Sequence, residues 1–136
     1  MEAEIIEPEP TFRLRLIRAS DDPPLGSQEY QKEIAEFAKS LRAHGVKVST
    51  RHFARNAVGG GGGLSGEFIC AVAAPGFLAK KLDSPLRTFL KGHFARKARV
   101  EFREDGTLKT VEAQNVDEAD KLINAAAKYQ KKVSHE

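Results

Sequence analysis

Phe12, Leu14 and Leu16 alternate with Arg13 and Arg15, the period-two pattern of a strand with one face in a core and the other in water. Asp21-Asp22-Pro23-Pro24-Leu25-Gly26 reads as a loop. Ser27 then offers an N-cap hydroxyl, with Glu29 in the first helical turn. Tyr30, Ile34, Phe37 and Leu41 follow at helical spacing, and His44-Gly45 ends the helix. Residues 46–50 begin a second strand that continues irregularly toward Val58, and residues 67–73 form a third, more buried one. A short helix is expected within residues 76–82.

Ser84-Pro85 marks another helix start, because the N–H that proline lacks has no helical partner at that position anyway. Leu86, Phe89, Leu90 and Phe94 would be its apolar stripe. Ala98, Val100 and Phe102 alternate with Arg99, Glu101 and Arg103 up to an Asp105-Gly106 turn. A two-residue turn there predicts Val100 opposite Val111 and Ala98 opposite Ala113 on the core face, with Arg99 opposite Glu112 on the other. Asn115 and Glu118 resemble a capping box ahead of a last helix buried through Ala119, Leu122, Ile123 and Ala126.

The predicted order is β-α-β-β-α-β-β-α. It implies a single α+β domain over residues 11–132, with a mostly antiparallel or mixed sheet and helices packed on one face. An acidic, extended leader (residues 1–10) precedes it and a polar tail (residues 133–136) follows.

Composition agrees with a globular chain: 136 residues, 40% hydrophobic and 30% charged, with a net charge of only +3. The distribution of charge is more informative. The leader carries Glu2, Glu4, Glu7 and Glu9 and no base, whereas residues 76–100 carry seven bases against Asp83 alone. A single cysteine excludes an internal disulfide and suits a reducing compartment. The acidic start lacks the apolar region of a secretory signal. The apolar run over residues 68–79 is interrupted by Pro75-Gly76 and falls short of the roughly 20 residues a spanning helix needs. A cytoplasmic protein without membrane contact is the expectation.

Candidate chemistry is sparse. Gly59, Gly60, Gly61, Gly62 and Gly63 form an unbroken run, but no Lys-Ser/Thr follows and a strand, not a helix, comes next, so a phosphate cradle is disfavoured. The run reads as a flexible connection and a candidate contact loop, ordered when a partner arrives. His44, His52, His93 and His135 have no metal-ligand spacing, and Cys70 sits in an apolar strand where burial would quench a thiolate. Ser65 lacks a strand-to-helix elbow, and the paired acids lie in turns. No catalytic set, metal site or cofactor is expected. The strongest surface feature is the basic segment Arg87, Lys91, Arg96, Lys97 and Arg99, a candidate partner-binding patch. A solvated face or a site for an acidic protein partner fits it best; nucleic acid or a nucleotide is the alternative, weakened by the lack of a strand-borne aromatic pair and of any Trp.

Several local features together resemble a known family. They are Leu14-Arg15-Leu16-Ile17-Arg18-Ala19, the Asp-Asp-Pro-Pro loop, and Leu41-Arg42-Ala43-His44-Gly45-Val46. Leu86-Arg87-Thr88-Phe89-Leu90-Lys91, Val100-Glu101-Phe102, Asp105-Gly106-Thr107, Val111-Glu112-Ala113 and the helix opening Asp117-Glu118-Ala119-Asp120-Lys121-Leu122 follow in order. Over about residues 12–127 the chain looks like the effector-associated constant component family, first type, of bacterial conflict systems. The resemblance implies a non-catalytic adaptor in antiviral defence, acting beside separately encoded effector or protease components. It transfers no active-site residue.

Overall fold

Alternating burial along the strands sorts the chain into a core face and an open face. In the computed structural model, which describes residues 10–53, 63–72 and 78–134, the strands are β1 (Thr11–Ile17), β2 (Val48–Phe53), β3 (Gly63–Ala71), β4 (Lys97–Glu104) and β5 (Thr107–Ala113). The helices are α1 (Gln28–Ala43), α2 (Asp83–Lys91) and α3 (Ala119–Ser134), with 3-10 turns at Ala79–Leu82 and Val116–Glu118. The strands form one antiparallel sheet in the order β2-β3-β1-β4-β5. Because β3 lies between β1 and β2, the connection through α1 is a split β-α-β unit. This is the single α+β domain that the hydrophobic pattern predicts.

Phe12, Leu14, Leu16, Phe68, Cys70, Ala98, Val100 and Ala113 face the helices and are buried with Tyr30, Ile34, Phe37, Leu41, Leu86, Phe89, Leu122 and Ala126. The opposite face is a lattice of charges. Arg13 lies between Glu67 at 2.8 Å and Glu101 at 3.7 Å, while Arg99 reaches Glu112 at 3.0 Å. The β4–β5 register is the one the Asp105-Gly106 turn predicts, with Ala98 opposite Ala113, Arg99 opposite Glu112 and Val100 opposite Val111. Asp105 and Gly106 both take positive φ, at 54° and 76°, as a tight hairpin turn requires.

Caps fix the ends of α1: the Ser27 hydroxyl accepts from the Tyr30 N–H at 3.2 Å, and Gly45 takes φ 86° just beyond the helix. Gln31 pairs its side-chain amide with the Leu64 backbone, accepting from its N–H at 2.8 Å and donating to its carbonyl at 2.9 Å. The chain leaving the glycine run is thereby tied to α1. Gly66 sits in β3 at φ 88°, where an added Cβ would lie 3.2 Å from the Leu16 carbonyl oxygen. Gly66→Ala is therefore expected to cost about 1–3 kcal/mol of stability, read by urea unfolding, because both conformation and space oppose a side chain.

Some boundaries differ from the sequence reading. β3 starts at Gly63, earlier than residue 67, since its pairing with β2 continues through His52–Leu64 and Phe53–Gly63; β2 spans Val48–Phe53. The expected short helix is the 3-10 turn Ala79–Leu82. α3 runs to Ser134, past the expected end at residue 132. Phe94 is not part of the α2 stripe. The helix stops at Lys91 with Gly92 as its C-cap, and Phe94 is 92% exposed. Residues 1–9 of the leader, Gly59 to Gly62 of the glycine run, and His135 lie outside the described residues.

Candidate contact turn between α2 and β4

The segment joining α2 to β4 is built around a buried guanidinium. Arg96 is only 3% exposed. Its Nη2 donates to Asp22 Oδ1 at 3.0 Å and its Nε to Asp22 Oδ2 at 3.1 Å, a bidentate pair across a sequence separation of 74 residues. Its Nη1 donates to the Phe89 carbonyl at 3.0 Å and to Glu33 Oε1 at 3.2 Å. The guanidinium carbon stands 4.6 Å from the centroid of the Phe89 ring and 5.8 Å from that of Tyr30, a partly aromatic cradle suited to the weakly hydrated cation.

Asp22 is equally well held. Its Oδ2 also accepts from the Ala19 N–H at 2.7 Å, and Arg18 donates to the Pro23 carbonyl at 2.9 Å and to the Asp22 carbonyl. Burial alone would raise the Asp22 pKa. The hydrogen bonds from Arg96 and Ala19, with the Arg96 charge, outweigh it and hold the carboxyl below its ordinary value of 3.8. Tyr30 closes the knot, its phenol pushed up to about 12 by burial. Its hydroxyl is the one buried side-chain polar atom without a hydrogen bond among the described residues.

This knot dictates the shape of the turn. A Cβ on Gly92 would come within 2.6 Å of Arg96 Nη1, so only glycine lets the arginine fold back under the helix end. Ala95 takes φ 75°, a strained choice for a residue with a side chain, immediately before Arg96 turns inward. The His93 ring contacts the Phe94 carbonyl oxygen through Nδ1 at 2.7 Å and approaches Asp21 Oδ1 through Nε2 at 3.6 Å. Between His93 and the buried Arg96, Phe94 projects into solvent.

The basic residues of this segment do not form one patch. Arg87 binds Asp83 and Asp120, each at 2.7 Å, and faces the Val116 carbonyl at 3.4 Å, so it ties α2 to α3. Arg99 lies on the open sheet face against Glu112 and Glu101. Lys97 is half-buried at the start of β4, and Lys91 is exposed at the end of α2. Arg96, expected at the surface, is instead a buried structural charge held by four donor contacts. Of the glycine run, Gly63 is described, and it opens β3.

The other candidate residues are quiet. Cys70 is fully buried in β3 and its thiol is pushed up to about 12 by burial. A thiol-reactive disulfide reagent is therefore expected to label Cys70 only as fast as the protein opens, with labelling complete in denaturant; rapid native labelling would contradict its placement. His44 contacts the Ser40 carbonyl through Nδ1 at 2.8 Å at the end of α1. Among the described residues no group of three His, Cys, Asp or Glu side chains is placed to hold a metal ion, and no helix is long and apolar enough to cross a membrane.

The sequence pattern places Asp22 in a turn and Phe94 on the α2 stripe, so it does not reveal the two residues that define this turn. Gly92 was the available signal, since a glycine two residues before Phe94 stops the helical period. No family model matches the chain, and neither a curated protein nor a solved structure matches it.

Proposed function

We propose that this protein is a non-catalytic interaction component, an adaptor that docks on a partner protein through the turn carrying Phe94. One observation carries this reading: a phenylalanine 92% exposed on a turn pinned on one flank by buried Arg96, with His93 on the other flank 3.6 Å from Asp21. A stray exposed aromatic needs no explanation, but a buried ion pair and a positive-φ alanine invested in holding its base do. A rigidly presented ring loses little conformational freedom on docking, which favours its use as an anchor in an apolar pocket. Exposed Lys91 beside it suits a partner pocket with acidic groups at its rim. The resemblance to the constant components of bacterial conflict systems supports the same class, with partners among nearby-encoded effector or protease proteins.

Nucleic-acid binding has weaker support. On β1, β3 and β4 the open-face positions Thr11, Arg13, Arg15, Glu67, Ile69, Arg99 and Glu101 include no aromatic for base stacking. Glu67, Glu101 and Glu112 pair with Arg13, Arg15 and Arg99 there and would repel phosphates. Affinity purification of the tagged chain from its native host at low salt tests the choice. The proposal expects a stoichiometric protein partner that survives nuclease treatment. Recovery of nucleic acid alone, or of no partner, would overturn it.

A further inference from the structure

A second surface, separate from the Phe94 turn and independent of the function proposed for it, lies along β5. This strand ends the sheet order, so one row of its backbone N–H and C=O groups faces away from β4, and Thr107 to Thr110 are exposed. Between β5 and α3 runs an open groove of about 450 Å³. Phe102, Val111 and Tyr129 form its apolar floor, the two rings 4.7 Å apart. Lys109, Lys121 and Lys128 flank it.

The charges are unevenly satisfied. Lys121 reaches Glu118 at 3.3 Å, and Glu104, the groove's one acid, is already held by Lys132 at 2.7 Å. Lys109 and Lys128 make no ion pair within 4.0 Å among the described residues, although both charges act on Glu104. The chain passes from Ala113 at the end of β5 through Val116–Glu118 into α3, which returns so that Lys132 meets Glu104 at the hairpin end. Lys128 thus stands toward Lys109, and Lys121 toward Ala113.

We propose that the β5 edge and this groove bind an extended acidic segment of a partner protein, added as a sixth antiparallel or parallel strand. Main-chain hydrogen bonds to β5 would supply affinity, and alternate side chains on the helix side would supply selectivity. The spacing of the groove asks for Glu-x-Val-x-Glu: one acid at Lys109 and Lys128, a β-branched residue over Val111, and a second acid at Lys121. Lysine on an edge strand also guards against unwanted pairing, but edge protection alone does not account for two further lysines on α3 around an apolar floor.

The test is an NMR titration of the full-length ¹⁵N-labelled protein with the capped peptide TETVTET and its charge-reversed counterpart TKTVTKT. Binding of TETVTET, with amide shifts confined to residues 107–113 and 121–129, is expected. The peptide should bind the Lys109→Glu/Lys128→Glu double variant at least about tenfold more weakly, while that variant keeps the wild-type spectrum elsewhere. Equal binding of both peptides, or no shift at about 1 mM peptide, would reduce the lysines to edge protection and overturn the proposal. A doubled mass in solution with β5 amides broadened would give the edge to a second copy of this chain. Much tighter peptide binding after Glu2, Glu4, Glu7 and Glu9 are changed to Gln would give the groove to the chain's own leader. Either result would overturn the external partner.

Discussion

Arg96→Ala is expected to lower the free energy of unfolding by about 3–5 kcal/mol, the usual penalty for removing one partner of a buried ion pair. Three losses coincide. Asp22 keeps its charge in a site 4% exposed, the Phe89 carbonyl loses its Arg96 donor, and the space between the Phe89 and Tyr30 rings empties. For a domain whose total stability is about 5–15 kcal/mol, that loss leaves little margin. Arg96→Lys is expected to be nearly as damaging, because one ammonium cannot span both Asp22 oxygens, Glu33 and the Phe89 carbonyl. Arg99→Ala is the control. Its partners Glu112 and Glu101 sit on the open face with Arg99 itself 32% exposed, so about 1 kcal/mol or less is expected. Urea unfolding of the three variants decides the matter. An Arg96→Ala no less stable than Arg99→Ala would refute the knot as a structural element.

The same pair couples stability to pH. Asp22 has a folded pKa below 3.8, so its ionised form contributes stability that is fully present above the unfolded value of 3.8. That contribution is lost as pH falls through the lower, folded pKa. Asp22→Asn should therefore be less stable than wild type near neutrality and should lose less on acidification below about pH 4. Parallel acid unfolding curves for the two proteins would contradict the assignment.

What could be read in advance depended on range. The strand faces of Phe12 to Leu16, the Ser27 cap, the Asp105-Gly106 hairpin and its Arg99–Glu112 pair are decided within a few residues or across one turn, and the structure has them as expected. The position of β3 between β1 and β2 is a long-range choice that no local pattern encodes. The Asp22–Arg96 pair joins residues 74 apart, so a basic run looked like one patch when its middle member is buried. Phe94 has the right spacing for the α2 stripe. It is excluded because Gly92 ends the helix so that Arg96 can turn under it, an event with no signature in the apolar period. The Lys109, Lys121 and Lys128 cluster was invisible for the same reason, as β5 and α3 bring it together only in three dimensions.

Phe94→Glu is expected to leave the fold intact and remove partner binding. The ring is 92% exposed and outside the core, so stability should change by no more than about 0.5 kcal/mol. In a complex, the same change would place a carboxylate in an apolar pocket beside any acidic rim. An anchor residue of this kind contributes about 2 kcal/mol or more, so affinity should fall at least about 30-fold. Lys91→Ala, at the edge of the same surface, should weaken binding only severalfold, and mainly through the association rate. Arg96→Ala would lower both stability and affinity, since it removes the base on which the ring stands. The decisive measurement is calorimetric titration of the host partner against wild type and Phe94→Glu at matched thermal stability. The account predicts a loss of at least about 30-fold in Kd for the variant; an unchanged Kd would contradict the claim that this turn is the contact.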